Sequence, residues 1–133
     1  MDIYNDFGGR LNENISEIVS IITDGKYNDV KLDENMHISV FDDDHYMPIE
    51  FLSSGTIEQI YLAVRLCIAG LLCKDRMPII VDDIFTAYDE HRLKNALYCM
   101  SRIDTDQVII FTSNNAIGDM LDDLSMEYNY VEL

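Results

Sequence analysis

The sequence is short of basic residues. Only 9 lysines and arginines stand against 25 aspartates and glutamates in 133 residues, which gives a formal net charge of −16. Broad, non-specific binding to DNA, RNA or an anionic membrane needs a positive surface, so this composition argues against it. A small basic patch or a basic partner chain is still compatible with the count.

Long apolar runs and targeting signals are also lacking. No apolar run approaches the roughly 18–20 residues that span a bilayer. The N-terminus, Met-Asp-Ile-Tyr-Asn-Asp, has neither the charged start nor the apolar stretch of a signal peptide. Three cysteines form no Cys-x-x-Cys pair and are typical of reduced core residues: Cys67, Cys73 and Cys99. These absences predict a cytoplasmic protein that does not bind membranes.

The hydrophobic content is that of a folded protein. Hydrophobic residues make up 48% of the chain, which is ordinary for a globular domain and argues against disorder. The length is near that of one domain, or of one lobe of a larger domain. There is no repeat, no low-complexity tract and no linker that would divide the chain.

The first half of the chain predicts one helix and a small β region. Residues 3–23 carry an apolar stripe at spacings of three and four, which indicates an amphipathic helix: Ile3, Phe7, Leu11, Ile15, Ile18 and Ile22. Gly25 is placed to cap its C-terminus. Short alternating runs at 30–32, 36–40 and 46–49 then predict antiparallel strands.

The second half alternates helices and apolar strands. The predicted order is helix 56–73, strand 78–81, helix 90–101, strand 107–111, helix 116–124 and strand 128–131. The first of these helices is apolar on most faces and should be buried. Asp89 is a candidate N-cap for the next helix. This order predicts an α/β fold, in which helical crossovers join parallel central strands.

Two aspartates follow the first of the apolar strands. Asp82 and Asp83 come directly after residues 78–81, and in open α/β sheets ligands bind at the carboxyl ends of the strands. Mg²⁺ commonly takes one or two carboxylates together with substrate phosphates. The pair therefore indicates either a magnesium site or a solvated turn.

A serine- and glycine-containing segment precedes the long buried helix. Ser53, Ser54 and Gly55 lie at its predicted N-terminus, where free N–H groups, hydroxyls and the positive end of the helix dipole can bind an anion. The same residues would also serve as an ordinary helix cap.

Four segments between residues 50 and 115 carry motifs in a characteristic order. They are Leu52-Ser53-Ser54-Gly55-Thr56-Ile57-Glu58-Gln59, Ile79-Ile80-Val81-Asp82-Asp83, Thr86-Ala87-Tyr88-Asp89 and Gln107-Val108-Ile109-Ile110-Phe111-Thr112. In this order they resemble the signature motif, the Walker B strand, the D-loop and the strand before the switch histidine of SMC-like ABC ATPases. The resemblance is nearest to the double-strand-break-repair and YhaN-like branch.

The resemblance implies a fold and a set of partners. The chain would be the C-terminal half of an ABC-type P-loop NTPase head, with parallel central strands, flanking helices and a small antiparallel β region near the N-terminus. Residues 1–24 would be the stub of a coiled coil, and residues 25–133 the lobe. The partners would be an N-terminal lobe with the Walker A motif, in the same protein or a separate chain, and a second ATPase head. DNA would be contacted through the full complex, in DNA repair or recombination.

The resemblance also assigns residues to ATP and Mg²⁺. Asp82 would hold Mg²⁺, Asp83 would be the general base that acts on the attacking water, and Asn114 would occupy the switch position. Asp89 would be the D-loop aspartate. The signature residues would reach the γ-phosphate bound by the opposite head: Ser53, Ser54, Gly55, Thr56 and Gln59.

The sequence departs from the family at three points. It contains no Gly-x-x-x-x-Gly-Lys-[Ser/Thr] phosphate loop, since Gly8-Gly9-Arg10 lacks the spacing, the lysine and a preceding strand. Asp83 replaces the usual glutamate and is one methylene shorter. Asn114 replaces a histidine and carries no positive charge.

These departures keep two alternatives open. One is a non-catalytic dimerisation lobe with degenerate ATPase motifs. The other is a metal-dependent nuclease or phosphotransfer domain built on Asp82, Asp83 and Asp89.

The missing phosphate loop predicts that the 133-residue chain alone does not hydrolyse ATP. That loop supplies the backbone cradle and the lysine on the β- and γ-phosphates. A steady-state phosphate-release assay on the purified chain should give only background. Turnover that is abolished by Asp82→Ala would contradict the half-domain interpretation.

Overall fold

The computed structural model describes residues 3–72, 76–86 and 88–133, with side chains from residue 8 onward. The chain divides into two compact units, unit 1 (Met1–Lys74) and unit 2 (Asp75–Leu133). Unit 1 contains α1 (Ile3–Ile22), β1 (Val30–Leu32), β2 (Ile38–Asp42), β3 (His45–Pro48), a 3₁₀ turn (Ile49–Phe51) and α2 (Ser54–Leu72). Unit 2 contains β4 (Ile79–Asp82), α3 (Glu90–Ser101), β5 (Val108–Phe111) and α4 (Ala116–Asp123).

The predicted N-terminal helix is confirmed, and α1 contacts α2 and β1. Its buried stripe consists of Leu11, Ile15, Val19 and Ile22. Ile18, which the sequence pattern placed in this stripe, is half-buried. The helix ends at Ile22, and Gly25 follows as the predicted cap: its φ of 76° lies in the left-handed region, and its N–H donates to the Ser20 carbonyl at 2.7 Å.

The β region is an antiparallel sheet in the order β1-β2-β3. β2 begins at Ile38, two residues later than predicted, because Met36 lies in the turn with φ of 64°. The Asp33 carboxylate holds that turn, accepting from the His37 and Asn35 N–H groups at 2.8 Å each. These hydrogen bonds, that of the His37 backbone first, lower the pKa of Asp33 below its ordinary value.

The long helix α2 is buried on most sides up to Cys67, as its apolar pattern predicts, but its last turn is half-buried or exposed, with Leu72 71% exposed. Its buried residues are Gly55, Thr56, Gln59, Ile60, Leu62, Ala63, Val64, Leu66 and Cys67. By length and composition this helix could also cross a bilayer, although no such span was predicted from the apolar runs of the sequence. Half of the apolar window is buried within the protein, and the core helix of a soluble protein passes the same test.

Unit 2 is built on two parallel strands, as predicted. β4 and β5 pair in the register Ile79↔Val108 to Asp82↔Phe111. Neither strand is buried along its whole length, since Ile80 is 64% exposed and Phe111 is 45% exposed. A two-stranded sheet leaves each strand with one unpaired edge.

The predicted last strand, at 128–131, does not form. Residues 126–133 have no regular structure, and Tyr130 and Val131 are each 74% exposed. A strand needs a neighbour to complete its hydrogen bonds, and among the described residues this segment pairs with none. Alternating apolar residues alone were therefore insufficient to predict the strand.

Two of the three cysteines are free and buried, as predicted: Cys67 and Cys99. Burial raises the pKa of the Cys67 thiol to about 11, with a smaller contribution from the charge of Glu17. Cys73 lies outside the described residues.

The α1 stripe predicts a large effect of truncation at its centre. Ile15 is fully buried, so Ile15→Ala should lower the free energy of unfolding by about 2–5 kcal/mol. Ile80→Ala, at an exposed position, should cost about 1 kcal/mol or less. Urea denaturation followed by circular dichroism measures both; equal effects would contradict the described packing of α1.

Candidate nucleotide site

The signature-like segment forms the first turn of α2. Ser53 precedes the helix, and its carbonyl accepts from the Ile57 N–H at 3.0 Å. Its hydroxyl lies 2.8 Å from that of Thr56 and 3.4 Å from the Thr56 nitrogen. Ser53 and Ser54 are exposed, whereas Gly55 and Thr56 are buried. The turn thus presents two serines at the positive end of a long helix, and one of them also caps it.

Gln59 lies one turn further along α2 and points inward. Its side chain is buried, and its Nε2 donates to the Ile22 carbonyl at 3.0 Å. The sequence pattern grouped Gln59 with the residues that would reach nucleotide. In the structure its amide is instead bonded within unit 1, to the end of α1.

The Walker B-like aspartates lie at the carboxyl end of β4. Asp82 is the last residue of the strand and is exposed. Asp83 is also exposed, and its φ of 45° is in the left-handed region, which aspartate tolerates better than most residues. The Asp83 N–H donates to the Phe111 carbonyl at 2.8 Å, so the ends of β4 and β5 are tied together.

The switch position follows the end of β5. The Asn114 N–H donates to the Thr112 hydroxyl at 2.9 Å, and the Asn114 side-chain carbonyl accepts from the Ala116 N–H at 3.0 Å. Because the side-chain oxygen of Asn114 already accepts from the Ala116 N–H, its other polar group is an N–H₂ donor. The side chain is exposed and carries no charge at neutral pH.

Asp89 is the N-cap of α3, as predicted. Its Oδ1 accepts from the Arg92 N–H at 2.8 Å, and its Oδ2 lies 3.4 Å from the Arg92 Nε. Before α3, the rings of Phe85 and Tyr88 lie 5.7 Å apart in an edge-to-face arrangement. Ala87, within the D-loop-like segment, is outside the described residues.

The residues that the motifs single out fall in both units. Unit 1 carries the signature-like turn, and unit 2 carries the two aspartates, the switch asparagine and Asp89. Among the described residues no group of three or more His, Cys, Asp and Glu side chains could hold a metal ion. A single exposed carboxylate such as Asp82 fits Mg²⁺ that is bound mainly by nucleotide phosphates and water. The same finding gives no support to a nuclease site built on Asp82, Asp83 and Asp89.

Comparison with solved structures identifies the fold. An SMC head domain from Thermotoga maritima superposes with a TM-score of 0.65 and 16% identity, over 84% of this chain and 40% of that one. A structure described under ATP-driven dimerization and DNA-stimulated activation of SMC ATPases gives a TM-score of 0.70 and 21% identity, over 90% of this chain and 77% of that one. The chain has the fold of a lobe of an SMC-type ATPase head. The mixed α/β fold class predicted from the motifs is therefore confirmed.

Sequence comparison gives a consistent result. The chain is 30% identical over 116 residues to "Uncharacterized protein YhaN" from Bacillus subtilis (strain 168). The match covers 83% of this chain but only 12% of that protein. No family model matches the chain. The SMC head fold and the similarity to YhaN agree with the branch that the motifs resemble.

The capping geometry of Asp89 predicts that its side-chain oxygen, rather than its charge, stabilises α3. Asp89→Ala should lower the free energy of unfolding by about 0.5–2 kcal/mol, whereas Asp89→Asn, which can still accept the Arg92 N–H, should change it by less. Thermal denaturation of the two variants measures this. Equal destabilisation by both would show that the charge of Asp89, rather than its cap, stabilises α3.

Proposed function

We propose that the chain is the C-terminal lobe of an SMC-like ABC ATPase head. In this proposal it contributes the signature motif and the Walker B aspartate to ATP-dependent head dimerisation, in DNA repair or recombination. The observation that carries the proposal is the order of its motifs on this fold. The signature-like turn starts α2, the aspartates end β4, and Asp89 caps α3.

The signature turn would act on the nucleotide of a second head. Ser53 and Ser54 are exposed at the N-terminus of a 19-residue helix, whose dipole favours negative charge at that end. The buried Gly55 and Thr56 would then hold the turn in shape rather than contact phosphate through their side chains. When two heads close, the hydroxyls and N–H groups of this turn would donate hydrogen bonds to the γ-phosphate that the other head binds.

Unit 2 would act on the nucleotide of its own head. ATP with Mg²⁺ supplies the phosphates and the metal charge when bound, and Asp82 would provide an oxygen ligand at the strand end. Asp83, directly after it, would orient and accept a proton from the attacking water. The Asn114 N–H₂ group would donate a hydrogen bond to phosphate without adding positive charge.

The wider setting follows from the same proposal. The missing phosphate loop would come from an N-terminal lobe, in the same protein or in a separate chain, and α1 would continue toward a coiled coil. DNA would be contacted by the assembled complex rather than by this acidic lobe. A cytoplasmic location fits these partners.

A non-catalytic lobe is the second candidate. The neutral Asn114, whose side-chain oxygen already accepts from the Ala116 N–H, would give the switch position less electrostatic stabilisation than a charged residue. Asp83 is shorter than the glutamate usual at its position. A head built with these residues would bind ATP and dimerise but hydrolyse it slowly or not at all.

Ser53→Arg tests the signature assignment. In a head completed with a phosphate-loop lobe, the bulky cation should block ATP-dependent dimerisation because it fills the anion site and opposes the helix dipole. ATP affinity should be nearly unchanged. Ser101→Arg, an exposed serine at the end of α3, adds the same charge elsewhere and should dimerise normally. Light scattering and nucleotide titration measure the two properties.

Mixing two defective heads tests the trans arrangement. Asp82→Ala should weaken Mg-ATP binding within its own head, and neither Ser53→Arg nor Asp82→Ala heads should hydrolyse ATP alone. A mixed dimer retains one composite site with an intact Asp82 and an intact facing signature. Partial recovery of ATPase activity supports the proposal, and its absence at every mixing ratio counts against it. If the wild-type head dimerises with ATP but has no ATPase activity, the non-catalytic candidate is favoured.

A further inference from the structure

Two side chains of α1 bond to the outer edge of β1. The Ser16 hydroxyl accepts from the Val30 N–H at 2.9 Å and lies 3.3 Å from the carbonyl of the same residue. One turn earlier, the Asn12 side-chain oxygen accepts from the Leu32 N–H at 3.1 Å. Alternate residues of the edge strand are thus bonded to successive turns of α1.

The end of α1 is bonded to α2. If the helix continued, the Ile22 carbonyl would accept from the Lys26 N–H. That N–H donates to the Thr23 carbonyl, at 3.1 Å. Gln59 reaches the Ile22 carbonyl instead, with its Nε2 at 3.0 Å and its side chain almost wholly buried. A buried amide that lost this partner would retain its full desolvation cost.

The apolar contacts of α1 fix its position along its axis less strictly than its hydrogen bonds do. Its buried residues recur every three or four positions, so a shift by one turn, about 5.4 Å, would bring one apolar residue to the place of the next. The polar contacts do not repeat in this way. Such a shift would break the hydrogen bonds of Asn12, Ser16 and Gln59 together.

We propose that Gln59 is a positioning residue of the signature turn. Its hydrogen bond fixes the end of α1 relative to the start of α2, and the hydrogen bonds of Asn12 and Ser16 fix α1 on β1. Gln59 follows Thr56 by three residues, so both lie on the same face of α2. The axial position of α1 is therefore transmitted to the turn that carries Ser53. This inference rests on the proposed function in one respect: it takes the signature turn to be the contact between two heads.

Gln59→Met is the most direct test, because methionine keeps the length of the side chain and removes the donor. Hydrogen exchange on the 133-residue chain should be about tenfold faster at the end of α1 and the start of α2, in line with the loss of one buried hydrogen bond. Exchange in β4 and β5 should not change. Gln107→Met, at the other glutamine of the chain, which is exposed, is the matched control.

The functional arm uses the head completed with a phosphate-loop lobe. Gln59→Met should weaken ATP-dependent dimerisation about tenfold while changing ATP affinity less than about twofold, because only the geometry of the signature turn is altered. Unchanged dimerisation would overturn the proposal, as would exchange no faster than in Gln107→Met. If wild-type heads bind ATP without dimerising, the proposed function fails, and the exchange result still decides whether Gln59 holds α1.

A second variant covers the case in which Gln59→Met does not fold. Ser16→Ala removes only a hydroxyl from the β1 side of the same arrangement. It should speed exchange at the end of α1 and weaken dimerisation in the same direction. Wild-type values for both measurements would overturn the proposal.

Discussion

The burial of α1 against α2 and β1 is the interaction on which unit 1 depends. The apolar stripe along one face of α1 is removed from water where α1 packs on these two elements. That packing is non-directional, and the contacts of Asn12, Ser16 and Gln59 add the directional bonds that select one arrangement. The start of α2, with its exposed serines, is placed as a consequence. The exposed serines, which are the candidate phosphate contacts, are thus positioned by the buried hydrogen bond of Gln59.

Unit 2 depends on a different constraint, the parallel pairing of β4 and β5. Parallel strands present their carboxyl ends at one edge, which brings Asp82 level with Phe111. The hydrogen bond from the Asp83 N–H to the Phe111 carbonyl joins the two strand ends. The turn after β5 contains Asn114 and leads into α4. Acidic and amide groups are thereby gathered where an α/β sheet binds ligands. The exposed apolar residues Ile80 and Phe111 lie on the same two strands.

Local patterns predicted most of the fold. Helical spacing located α1, and the cap at Asp89 located α3 to the residue. The strand at 128–131 was predicted wrongly, because strand formation depends on a partner that a local pattern does not reveal. For the same reason Asn12 and Ser16 were not recognised: they are ordinary polar residues until β1 is placed beside them. Gln59 was recognised as part of the signature-like motif, but its hydrogen bond to the Ile22 carbonyl depends on where α1 ends and is visible only in the structure.

In the proposed function this chain is one lobe of a head that dimerises when ATP binds. The most direct measurement is the molar mass in solution, by light scattering, of the chain completed with a phosphate-loop lobe. Asp83→Asn can be included to slow turnover while leaving binding intact. We predict monomers with ADP and a doubled mass with ATP and Mg²⁺. The same mass with both nucleotides, under conditions where ATP is shown to be bound, would contradict the account.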